Sequence, residues 1–180
     1  MRNSIFPFIC HPVIYKPLHN IEGAKTMDYN CELIDQPPQP TLFIRTNTSI
    51  KELPQALGKA YAAIGEFMAE LGEQPAGAAY AAYFNFDMKD IDVEIGFPVA
   101  SALPGKDPIQ SGELPTGKIA RCLYQGPYNK IEPAYNALTA WVEEQGYEAT
   151  GVSYEFYLND PGEVSPEELL TQVVFPLKKG

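Results

Sequence analysis

Histidine is nearly absent. The 180-residue chain holds two, His11 and His19, and none from Asn20 to Gly180. That gap excludes a serine–histidine or cysteine–histidine nucleophile pair from the main body of the chain, and a histidine-rich metal site with it. Cysteine is scarce as well. Cys10, Cys31 and Cys122 are odd in number and irregularly spaced, with no zinc or redox pattern, so they read as reduced thiols of a cytoplasmic protein. Cys10, His11 and His19 lack a fourth ligand and do not make a metal site. Basic residues are few: 13 Lys and Arg stand against 23 Asp and Glu, a formal charge of −10. Such a chain repels phosphate backbones and anionic lipids, which argues against nucleic acid and membrane partners and mildly favours cationic ligands. No apolar run approaches the ~18 residues of a membrane span. Gly105-Lys106-Asp107 lacks the glycine frame and hydroxyl of a phosphate loop. Chemistry is left to carboxylates, tyrosines, lysines, a thiolate or the backbone, and no cofactor or metal is expected.

With 45 % apolar and 20 % charged residues, the remainder reads as one globular domain over residues 28–180. Residues 1–27 differ. Three prolines within eleven residues (Pro7, Pro12, Pro17) break any helix, and no small-residue cleavage site follows Arg2. This stretch reads as an irregular extension, or as an upstream start ahead of Met27, rather than a signal peptide. Beyond it, Glu32-Leu33-Ile34 and Thr41–Arg45 are strands split by Pro37-Pro38-Gln39-Pro40. Leu57, Tyr61, Ile64, Phe67/Met68 and Leu71 recur at helical spacing, with Gly72 as the stop. Tyr80–Phe86 and Asp92–Val99 read as strands. Residues 100–118, with three prolines and three glycines, read as a connection rather than an element. A strand at Ile119–Tyr124, a helix at Ile131–Gln145 and strands at Val152–Leu158 and Leu169–Leu177 complete the set.

The chain repeats itself. A shift of 74 places Ala60-Tyr61-Ala62-Ala63-Ile64 on Ala134-Tyr135-Asn136-Ala137-Leu138, Gly72 on Gly146, Tyr80 on Tyr154 and Tyr83 on Tyr157. After a small difference in loop length, Glu94–Val99 falls on Gln172–Leu177. The expected fold is therefore α+β: a tandem duplication of a strand-helix-strand-strand module, with repeats of about 28–100 and 118–178. Neither half buries its apolar face alone, so the two share a curved, mostly antiparallel sheet. Two main helices cover one face, and a cleft lies at the pseudo-twofold seam, a common place for a ligand.

Duplication also separates framework from specialisation. Positions alike in both copies hold the fold; positions that differ were free to change. Glu155 has Ala81 as its twin, and Glu94 has Gln172. Strand alternation puts Ser153, Glu155 and Tyr157 on one face. Glu94 shares its face with Asp92 and Gly96. A carboxylate among aromatics suits a flat cation, whose attraction to each ring is worth ~0.5–2 kcal/mol. The other reading is a glutamate on the wet face of an antiparallel sheet. Tyr61, Tyr135, Phe67 and Trp141 lie on helical stripes and read as core. Tyr83, Tyr124, Tyr128 and Tyr157 are less well explained that way.

Tyr124-Gln125-Gly126-Pro127-Tyr128, the helix with Ala134-Tyr135 and Trp141, and Tyr154–Pro161 resemble the GyrI-like effector-binding domain. Asp92–Val99 is similar to that family's first-half signature. The resemblance covers about residues 28–178. It implies the two-module fold and the binding of hydrophobic, often cationic, small molecules. It places the family's acidic cleft residue at Glu155, with Tyr128 and Tyr157 as aromatic walls. Fused members carry a DNA-binding helix-turn-helix, and residues 1–27 are too short and proline-broken for one, so the resemblance is to a stand-alone, non-DNA-binding member. Some relatives have an acidic residue where this chain has Gln172. Others hydrolyse strained electrophiles, and Glu155 would then be the general base. The favoured expectation is a small-molecule-binding protein with a site of Glu155, Tyr157, Tyr128, Tyr124, Tyr83, Glu94 and Gln172. The alternatives are a hydrolase at the same cleft and a protein-interaction module acting on gyrase or a regulator. The oligomeric state is left open.

Overall fold

The computed structural model describes residues 29–178. The expected extension over residues 1–27, with Cys10, His11 and His19, lies outside them. Eight strands and two main helices follow in the order β1 (Cys31–Gln36), β2 (Pro40–Thr48), α1 (Leu53–Glu70), β3 (Ala79–Tyr83), β4 (Ile91–Pro98), β5 (Gln110–Glu113), β6 (Gly117–Gln125), α2 (Glu132–Glu144), β7 (Ser153–Tyr157) and β8 (Leu170–Pro176). They form one sheet in the order β1-β6-β8-β7-β3-β4-β2-β5, every pair antiparallel. This is the expected α+β class. No helix among the described residues is long and apolar enough to cross a membrane.

The one strand that the sequence pattern does not signal is β5. Residues 100–118 read as a connection, yet Gln110–Glu113 pairs along β2. Gln-Ser-Gly-Glu shows no apolar alternation; the strand is held by backbone pairing to β2, with the Phe43 ring lying over Gly112. Such an edge carries no side-chain signal.

Two short links set the shape of the sheet. Three residues, 37–39, join β1 to β2, and three more, 114–116, join β5 to β6. Each pair of strands lies six places apart in the sheet. In a flat sheet that gap is about 29 Å at ~4.8 Å per strand. Four residue steps reach at most about 14 Å. The sheet must therefore curl into an open half-barrel, with its edges drawn toward one another. The same links exchange strands. β1 leads the first half but pairs with β6 of the second, while β5 leads the second half but pairs with β2 of the first.

Both helices pack on one face. The α1 stripe of Leu53, Leu57, Ala60 and Tyr61 meets Ala81, Ile91, Val93 and Ile95. The α2 stripe of Ala134, Tyr135, Leu138 and Val142 meets Ala120, Cys122, Val173 and Phe175. The other face is the inside of the curl and carries Tyr80, Ala82, Leu114, Ile119, Tyr154 and Val174. Gly96 of β4 lies under this layer. A Cβ there would meet the Leu42 carbonyl oxygen at 2.6 Å and the Tyr80 hydroxyl at 2.8 Å.

Candidate functional site

The seam between halves is the β3–β7 pairing at the middle of the sheet. Its register sets Ala81 directly opposite Glu155. These are the twins that differ most between the repeats, so the odd carboxylate stands where the two halves meet. Continuing the register outward gives Val173 and Cys122 on one side and Ile95 and Ile44 on the other. Directly paired side chains share a face, so Glu155 points toward the helices. It is not on a wet face: it is only 7 % exposed.

Four tyrosines surround it. Tyr135, brought inward by the α2 stripe, donates its hydroxyl to Glu155 Oε1 at 2.7 Å. Tyr157, two residues along β7, donates to Oε2 at 3.0 Å. With the Tyr157 proton committed, Tyr83 is left to donate to the Tyr157 oxygen, 3.4 Å away. The Tyr128 ring packs edge-on against Tyr157, its centroid 5.4 Å away. The Tyr128 hydroxyl is buried and has no hydrogen-bond partner. The turn that delivers Tyr128 depends on Gly126, whose φ of +142° is costly for other residues. A Cβ there would also press on the Tyr124 hydroxyl at 2.7 Å.

No basic side chain answers the charge: among the described residues, none of the ion pairs involves Glu155. Burial pushes its carboxyl above the ordinary glutamate range, and the bonds from Tyr135 and Tyr157 pull it part of the way back. Burial first, and the nearby Glu155 charge second, push the phenols of Tyr83, Tyr128, Tyr135 and Tyr157 upward. All four remain donors at neutral pH. The result is a buried proton-binding group held by phenols, with one hydroxyl to spare.

Tyr83, Tyr128, Tyr157 and Glu155 thus lie together on the helix face. Tyr124 does not join them. It lies on the helix face but packs in the second-half core with Ile131, and its hydroxyl donates to the Pro127 carbonyl at 2.9 Å. Glu94 and Gln172 are separated from Glu155 by the sheet itself. Glu94 is paired across with Ala82 and Gln172 with Phe156, both on the inside of the curl. There Glu94 accepts a bond from Tyr80 at 2.8 Å. Burial raises its carboxyl, with Tyr80 and Arg45 opposing. Odd-even alternation separates Ser153, Glu155 and Tyr157 from their chain neighbours. It cannot relate faces on different strands, because that requires the register.

Tyr135 is the residue that sequence reasoning passes over. Its periodicity marks it as core, and it is core. A buried tyrosine hydroxyl needs a partner, however, and the partner here is the unpaired carboxylate. Its twin Tyr61 instead donates to the Tyr80 backbone carbonyl at 2.9 Å.

Two cavities flank this arrangement. One of about 440 Å³ lies beside α2, lined by Tyr135, Ser153, Phe86, Val142, Phe175 and Glu143 among others. Tyr135 and Ser153 form its boundary toward Glu155, which lines neither cavity. The second, about 270 Å³, opens inside the curl, where Gln172, Tyr154, Phe156 and Leu114 line it.

A family model described as a GyrI-like small molecule binding domain matches residues 29–178. No curated protein matches the sequence. Among solved structures, the EcmrR C-terminal domain has a TM-score of 0.71 at 22 % identity, covering 86 % of this chain and 100 % of that one. EcmrR is also solved in a complex with DNA, at a TM-score of 0.74 and 21 % identity; 87 % of this chain is covered, but it spans only 60 % of that one. A structure described as a hydrolase from Listeria innocua scores 0.62 at 13 % identity, covering 82 % of this chain and 91 % of that one. SAV2435, solved bound to tetraphenylphosphonium, scores 0.53 at 11 % identity, covering 84 % and 94 %.

Proposed function

The chain belongs to the GyrI-like small-molecule-binding family, and from that premise we propose that its ligand is a hydrophobic cation held at the repeat seam, with Glu155 as counter-charge. The observation that carries this reading is a buried carboxylate whose partners are tyrosine hydroxyls and not a lysine or arginine. A cation brought against it gains a Coulomb attraction that water does not screen. The tyrosine rings offer faces for the same charge. The body of the ligand takes the cavity beside α2, and Tyr135 moves aside to open that cavity to the carboxylate. Tyr128, with its unpaired hydroxyl, supplies a wall and a donor. The acidic balance of the chain draws cations toward it. The fold neighbour SAV2435, solved with tetraphenylphosphonium, supports this chemistry by analogy. The binding domain is residues 28–180, made of repeats of about 28–100 and 118–178, and acts in the cytoplasm.

The test compares tetraphenylphosphonium, triphenylphosphine oxide and tetraphenylborate by thermal shift. Ligand at ~100 times its Kd adds about 2.7 kcal/mol. For a chain of this length that is roughly 5–10 °C. The expected result is a shift from the cation alone, lost in Glu155→Gln. Equal shifts from all three would sink the counter-charge role.

A second reading is favoured by one feature: a carboxyl with raised proton affinity, positioned by two phenols, is suited to general-base work. In that reading Glu155 takes a proton from water attacking an electrophile. The Listeria innocua hydrolase shares the fold. Turnover of activated aryl esters or strained rings that disappears in Glu155→Gln separates catalysis from binding. An unfilled site with a salt-sensitive protein pull-down would instead favour an interaction module.

A further inference from the structure

Cys31 and Cys122 are 91 residues apart in the chain, yet they stand directly opposite each other in the β1–β6 register. Directly paired residues of an antiparallel ladder have Cα atoms about 4.5–5.5 Å apart, and a disulfide accepts about 4.4–6.8 Å. Their side chains share the helix face, close enough that each thiol shifts the other's proton affinity. Both are free thiols, Cys31 half-buried and Cys122 only 1 % exposed. Cys122 Sγ also reaches the Ala134 carbonyl at 3.8 Å, on the helix that carries Tyr135.

We propose that Cys31 and Cys122 form a redox modification site: a cross-strand dithiol that small disulfide oxidants of the glutathione class close to an internal disulfide, stapling the exchanged strand β1 to the second half of the sheet. The half-buried Cys31 reacts first. Its thiolate attacks the oxidant's disulfide, forming a mixed disulfide and releasing one thiol. Cys122 then loses its proton and displaces the second thiol, forming the Cys31–Cys122 bond. Two cysteine thiols are oxidised, one oxidant disulfide is reduced to two thiols, and the protons end on those thiols. The second step is the slow one, because burial holds the Cys122 thiol up at about 12 and only the thiolate attacks. The site stands independently of the ligand assigned to Glu155.

The test uses the full chain with Cys10→Ser, to remove the third thiol, incubated with oxidised glutathione between pH 7 and 9. The expected product is a monomer about 2 Da lighter that yields one Cys31–Cys122 linked peptide, forms faster at higher pH and melts about 5–10 °C higher until reduced. Adding Cys31→Ser should abolish the mass loss while leaving circular dichroism unchanged. A glutathione adduct that persists on Cys31, a linkage between two chains, or two thiols still free at pH 9 would each overturn the proposal.

Discussion

At the residue scale, Glu155 sets the pH behaviour. Its carboxyl is raised in the folded chain, so the folded state holds a proton that the unfolded state releases near the ordinary glutamate value of 4.5. Above that value the unfolded state binds fewer protons, and stability falls as pH rises until the folded carboxyl ionises. Below the unfolded value the contribution is fully present. Urea midpoints from pH 4 to pH 8 should therefore decline more steeply in the wild type than in Glu155→Gln, which has no proton to lose. Tyr135→Phe removes a donor to the ionised form. It should push the carboxyl higher still and cost about 1–3 kcal/mol at pH 8, where a charged acceptor is left short of a partner. Cation binding follows the opposite sign: affinity rises with pH and a proton is released. Calorimetry in buffers of different ionisation heat reads that release.

Glu155 stands out in the sequence itself, because duplication supplies an internal control in Ala81. Its partner Tyr135 does not. Helical spacing tells which way a side chain points, and the contact at its tip depends on what the sheet presents there. Glu94 and Gln172 show the same limit from the other side. They differ between repeats as Glu155 and Ala81 do, but they face the inside of the curl, and only the register reveals it.

At the element scale, apolar periodicity locates both helices and seven of the eight strands. β5 escapes because an edge strand held by its backbone needs no apolar pattern. β4 carries a sharper requirement at Gly96, where the Leu42 carbonyl and Tyr80 hydroxyl occupy the space of a side chain. The carbonyl belongs to the neighbouring strand and cannot swing away as a flexible side chain would. Gly96→Ala should destabilise the fold by about 1–3 kcal/mol through overpacking. A matched change at Gly65, with nothing within 4 Å, should not destabilise it. Denaturant midpoints for the two variants make the comparison.

At the scale of the whole molecule, the strand exchange makes each half depend on the other. Without the second half, β2 lacks its β5 partner and β3 lacks β7; without the first, β6 lacks β1. Residues 28–100 and 101–180 produced separately should show little cooperative melting by circular dichroism. Mixed, they should recover an ordered sheet. A first half that melts cooperatively alone would contradict this dependence.

The sequence by itself determined the fold class, the tandem repeat, the helix faces and the singular position of Glu155. Each follows from local periodicity, or from comparing the chain with itself. Only the tertiary structure decided the curl of the sheet, the exchange of β1 and β5, and the pairing of Cys31 with Cys122. It alone seated Tyr135 on the carboxylate. These are register and closure effects between residues distant in the chain. A period of two or 3.6 fixes the direction of a side chain but leaves its neighbour across the fold unspecified.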